Sequence, residues 1–294
     1  MKSVEPYNAK SPHNRDVGAG PSTLAQGLVV LISHERSGSH FLADMLESTS
    51  EITSVDEICN TDAVDPEKSK ASFFGFRHQR QIENPDFSLR PDAKNITELL
   101  DAYFSHLLRC VKSDKILVDI KYGHVHNFET GWRPSEYRPF LLKYLEKRDV
   151  RIVHLSRKDA MATVISSFVA EKKRVWHTRK GDGKTKPEKL HVPVHNLVHD
   201  ALALEREKRN FFSWLAGNRC HHVAYEEISE NDALRAQTMQ RLSGFLGLTN
   251  DGAVFVSSLE KVTPPAWEIV ENYGELRRAA VMFGLSGLPR RGRA

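Results

Sequence analysis

A chain of 294 residues with 40% hydrophobic and 27% charged side chains holds enough apolar material for a packed core, which excludes a disordered protein and fits one large domain with insertions better than two full ones. Lysine and arginine exceed aspartate and glutamate by only 42 to 38, a surplus that suits anionic ligands but lacks the basic bias of a nucleic-acid binder. Three dispersed cysteines (Cys59, Cys110, Cys220) form no CxxC pair, and no run approaches the roughly 18 apolar residues of a membrane span, so the sequence predicts a cytoplasmic protein without metal cage, disulfide framework or bilayer anchor.

Residues 1–26 are polar, rich in Gly, Pro, Ser and Asn, and lack hydrophobic periodicity. They are expected to be a mobile tail preceding a single domain over 27–294. The run Gly27-Leu-Val-Val-Leu-Ile-Ser33 is short, continuous and rich in branched residues, as in a parallel strand covered on both faces. From Ser39 the spacing of Phe41, Leu42, Met45 and Leu46 turns helical. The short apolar runs Ile116–Ile120 and Arg151–Leu155 follow predicted helices at Ile96–Val111 and Tyr137–Lys147. A fourth strand is expected at Arg219–Ala224, after a long helix over Val194–Leu215. This alternation predicts an α/β protein with a central parallel sheet flanked by helices. Residues 60–95 and the basic stretch around 171–193 carry few structure signals and are expected to be loops over an active site.

The segment Ser33-His-Glu-Arg-Ser-Gly-Ser-His-Phe41 joins the first strand to its helix. A helix that starts directly after a buried strand aims unpaired N–H groups and a positive dipole end at whatever fills the turn, which favours phosphate or sulfate. Gly38 allows close backbone approach, Ser37 and Ser39 offer hydroxyls, and Arg36 supplies a planar, permanent cation. A Walker A loop is absent. Standing alone, the letters would also suit a helix start capped by Ser37.

In its place after the first strand, Arg36-Ser-Gly-Ser-His40 resembles the 5′-phosphosulfate loop of sulfotransferases that use 3′-phosphoadenosine 5′-phosphosulfate (PAPS) and release the bisphosphate PAP. The family's usual proline ahead of the basic residue is replaced here by His34-Glu35. The resemblance implies a P-loop-like three-layer fold, no metal, and cofactor contacts from Arg36, Ser37, Gly38, Ser39 and His40. Arg157, at the end of the predicted Arg151–Leu155 strand, and Ser166 nine residues later are similar to the family's 3′-phosphate motif; neighbouring Lys158 is an alternative to Arg157. His222-Val-Ala-Tyr-Glu-Glu-Ile228 looks like a third family segment and implies that Tyr225 flanks the adenine. The bacterial trehalose, lipopolysaccharide and nodulation-factor branch is nearest in pattern, through Arg36–Ser39, Val55–Cys59, Arg157–Asp159 and Trp176-His177.

Sulfuryl transfer needs an in-line nucleophile, donors around the equatorial oxygens, and a base for the acceptor hydroxyl. Glu57 is the first candidate base, with Asp56 and His124 as alternatives. Lys121 is a candidate for oxyanion or substrate contact, and Trp176 and His177 for the acceptor pocket. The expected acceptor is a carbohydrate or small metabolite. A P-loop-type kinase, kept open by Asp119, and a non-catalytic nucleotide binder are the alternatives. No sequence feature fixes the oligomeric state.

Overall fold

A computed structural model of the chain describes residues 21–60, 71–84, 92–131, 134, 136–174, 189–249, 255–259, 264–285 and 288. Five parallel strands form one sheet in the order β2-β3-β1-β4-β5. They are β1 (Leu28–Ser33), β2 (Ile52–Glu57), β3 (Lys115–Lys121), β4 (Arg151–Ser156) and β5 (Cys220–Ala224). The helices that position the site are α1 (Pro21–Gly27), α2 (Ser39–Glu47), α3 (Phe73–Glu83), α4 (Ala93–Cys110), α5 (Phe140–Lys147), α6 (Ala160–Lys173), α7 (Val194–Trp214), α8 (Tyr225–Ser229) and α9 (Asp232–Leu246). The α/β, three-layer expectation therefore holds.

Every residue of β1 is buried, as its unbroken apolar run requires. Because side chains alternate across a strand, Leu28, Val30 and Ile32 enter the core beneath α4, α6 and α7. Val29 and Leu31 enter a second core beneath α2 and α9. Thus α2, which follows β1, and α6, which follows the adjacent strand β4, cover opposite faces. The carboxyl ends of these two strands consequently frame a crevice at a topological switch point, where open α/β sheets bind ligands.

Three expectations change. The fold starts before residue 27: α1 precedes β1 and its Leu24 is fully buried, but one apolar anchor in seven residues leaves no periodicity to read. Residues 60–95 are not all loop, since Ser72 caps α3 by accepting the Gly75 N–H and Phe73 is buried. The sheet has a fifth strand, β2, whose sequence Ile52-Thr-Ser-Val-Asp-Glu57 buries only Ile52. An edge strand of this kind needs no apolar alternation. Its register against β3 shifts between Ser54 and Glu57, with Asp56 in the left-handed region at φ 59°, and this bulge sets Glu57 opposite Asp119.

Candidate active site

The turn after β1 is tight. The Ser37 N–H donates to the His34 carbonyl, and α2 begins with Leu42 N–H to Gly38 O at 3.0 Å. Gly38, not Ser37, is the N-cap, and no side chain caps this helix, so its first-turn amides face the crevice. Gly38 has φ 89° and lies so close to Tyr225 that a Cβ would sit 2.4 Å from the ring. Arg36 is also left-handed, at φ 61°, a conformation that costs a non-glycine residue about 1 kcal/mol or more and recurs at functional sites.

Arg36 reaches from this loop to α6, where its Nε donates to Ser166 Oγ at 3.3 Å. Burial, and then the neighbouring Arg157 guanidinium, lowers the pKa of Arg36, while Tyr225 and Glu35 act in the opposite sense. Arg157 lies over the Tyr225 ring at 5.2 Å from its centroid. Asp159 caps α6 through the Ala162 N–H, Glu226 accepts the Lys158 N–H, and Lys208 donates to the Arg157 and Lys158 carbonyls, which together fix the β4–α6 turn. Of the two alternatives at this turn, Arg157 is the one brought to Arg36, while Lys158 is exposed. Two guanidinium groups converging in a half-buried crevice repel one another; an anion between them removes that penalty.

A second cluster lies under the loop. The register pairs Ser33 with Lys121, so both point toward α2. The Lys121 ammonium donates to Ser39 Oγ at 2.6 Å, to Ser33 Oγ at 3.4 Å and to Asp119 Oδ2 at 2.6 Å, and lies 3.3 Å from Glu57 Oε1. It is 3% exposed. Lys121 is thus a strut holding the loop to the sheet, and the substrate contact expected of it does not fit these surroundings. His40 stands above, with Nε2 3.7 Å from Glu57 and Nδ1 3.8 Å from Asp56. Burial alone would raise the Glu57 carboxyl, but the His40 hydrogen bond and the Lys121 and His40 charges hold it at about 2. A carboxylate so acidic takes up a proton poorly, which argues against the expected base role of Glu57.

His40, Glu57 and Asp119 bring potential metal ligands within 4.8 Å of one another. The Lys121 ammonium already bridges the two carboxylates, and a divalent ion placed among them would meet that positive charge at contact distance. His124 lies on the 3₁₀ turn Tyr122–Phe128, half-buried, with Nδ1 lacking a hydrogen-bond partner among the described residues. Trp176 and His177 fall outside the described residues.

Sequence reading missed a ladder on the other face of β4, buried at Tyr122 and His154 and opening to solvent at His222. The Tyr122 hydroxyl meets His154 Nε2 at 2.6 Å, and His154 Nδ1 meets His222 Nδ1 at 2.8 Å. Burial, reinforced by His222, pulls His154 down to about 3, so it is neutral at physiological pH. Only the parallel register of β4 and β5, which pairs His154 with His222, brings these rings together.

Comparison with known proteins follows the same lines. A family model described as "Sulfotransferase family" matches residues 29–252. Among solved structures, a "Sulfotransferase Domain from the Curacin Biosynthetic Pathway" is 15% identical, covering 90% of this chain and 99% of that one with a TM-score of 0.39. No curated protein matches significantly. Among the described residues no helix is long and apolar enough to cross a membrane.

Proposed function

Because the chain belongs to the sulfotransferase family, we propose that it moves a sulfuryl group from PAPS to a hydroxyl of a carbohydrate or other small metabolite. The observation that carries this reading is the convergence of Arg36, Arg157 and Ser166 beside the first turn of α2, a bipartite anion site split between two adjacent strand ends. In this reading Arg36 and the loop 36–40 hold the sulfate-bearing 5′ end, Arg157 and Ser166 hold the 3′-phosphate, and Tyr225 seats Arg157 and borders the nucleotide. PAPS supplies an activated sulfuryl group with a phosphate as leaving group.

The residues then have separate tasks. Arg36 stays protonated and offers two-toothed hydrogen bonds to charge that grows on the departing phosphate, with the α2 amides beside it. Lys121 keeps Ser33 and Ser39 in place, so the donors are set before reaction. Proton removal from the acceptor falls to His40: Nε2 faces ionised Glu57 at 3.7 Å, leaving Nδ1 to take the proton while Asp56, 3.8 Å away, faces the resulting imidazolium. His124 is the second reading for the base, favoured by its Nδ1, which has no partner among the described residues.

Calorimetry with PAP, followed by transfer assays with PAPS, tests the proposal. PAP is expected to bind the wild-type chain. Arg36→Ala is expected to lower kcat about a hundredfold or more, with a much smaller loss of PAP affinity, because its partner charge grows in the transition state. Failure of PAP to bind would refute the proposal, and an equal loss of affinity and turnover would refute the role of Arg36.

A further inference from the structure

Beside the anion site opens a cleft of about 350 Å³ between the β1–α2 loop and helices α6 and α7, within the size range of small-molecule sites. Its position ties it to the reaction centre. His34 and Glu35 on one wall immediately precede Arg36, and Ser167 on another follows Ser166. The Ser167 hydroxyl oxygen is buried and has no hydrogen-bond partner among the described residues, a polar group to which the surrounding helices supply no partner.

The lining has two characters. Val164, Phe168, Leu197 and Leu204 give it an apolar floor, whereas Glu35, Glu171, Asp200 and Glu207 surround it with carboxylates. On α7, Leu197, Asp200, Leu204 and Glu207 recur at helical spacing, so floor and acids share one face. Several of the described cations near it have partners elsewhere. Arg36 faces Glu35 and the anion site, His199 lies 3.5 Å from Asp200, Lys172 lies over the outer Phe168 ring, and Lys208 is held by Glu205 and two carbonyls. Among the described residues neither Glu171 nor Glu207 has a Lys or Arg partner. A protein with net charge +4 therefore carries an anionic cleft directly beside its anion-binding loop.

An anionic nucleotide gains nothing from such a wall. A cation does, since clefts of one sign concentrate ligands of the other. On the sulfotransferase reading, we propose that this cleft is the acceptor subsite and that the acceptor carries an ammonium group on a short apolar body, its hydroxyl turned toward Arg36. The carboxylates then select charge, the apolar floor selects shape, and the Ser167 hydroxyl is available to a polar group of the acceptor.

Three para-substituted phenols separate the possibilities: tyramine (cationic), 4-propylphenol or 4-ethylphenol (neutral) and 3-(4-hydroxyphenyl)propionate (anionic). Binding of each is measured by calorimetry on the PAP-saturated and the nucleotide-free wild-type chain, and on Asp200→Asn/Glu207→Gln. Tyramine is expected to bind about tenfold more tightly than 4-ethylphenol, the sum of several weak exposed pairs, and the propionate least. The advantage should shrink with salt and vanish in the double variant, whose PAP affinity should match wild type. Equal binding of the three phenols, preference for the propionate, or a tyramine advantage untouched in the double variant would overturn the proposal. Loss of PAP binding in the wild type would instead defeat the sulfotransferase reading, and the tyramine arm without nucleotide would still judge the cleft.

Discussion

Replacing Gly38 by alanine should damage the site through two separable routes, and a double-mutant cycle with Tyr225 can separate them. The first is backbone strain: at φ 89° an alanine pays about 1–2 kcal/mol. The second is a collision, since the new Cβ would stand 2.4 and 2.6 Å from two Tyr225 ring carbons. Overpacking of this kind costs about 1–3 kcal/mol, and the ring that must yield is the one on which Arg157 rests. Gly38→Ala should therefore lose about 2–5 kcal/mol of stability in urea denaturation and lose PAP affinity with it. In a Tyr225→Ala background the collision disappears and only the strain remains, so the two substitutions should couple by about 1–3 kcal/mol. Additivity within about 0.5 kcal/mol would show that loop and ring do not touch, and the bipartite grip would lose its link.

The proton inventory leads to two further expectations. If His40 is the base and Glu57 its ionised partner, His40→Asn should lower kcat about a hundredfold or more; such a loss in His124→Asn and not in His40→Asn would reverse the assignment. His154, held at about 3 against 6.5 when free, makes the folded chain refuse a proton that the unfolded chain accepts below pH 6.5. Stability should then fall by about 2 kcal/mol between pH 6.5 and 5. His154→Gln should remove that slope in urea melts, and an unchanged slope would show that His154 is not its source. Glu57 acts in a lower window: held at about 2 against 4.5, it contributes stability above pH 4.5 that is lost as pH falls toward 2.

The parts of the site legible in the sequence were those built from local signals. β1 announced itself by an unbroken apolar run, α2 by its spacing, and Arg157 by standing where an apolar strand gives way to a helix. What stayed hidden depended on register. Glu57 is a candidate from its place in Val55–Cys59, yet β2 is invisible in the sequence because an edge strand ending in a bulge can be polar. The chemistry of Glu57 is set by neighbours that only folding delivers. Lys121 arrives from β3 because Ser33 pairs with Lys121, and His40 arrives from the first turn of α2. A carboxylate expected to be the base becomes, beside an ammonium and an imidazole, the anion that holds them. Sequence supplies the titratable group, but strand register decides which way its proton equilibrium is pulled, and here it pulls Glu57 toward the ionised form.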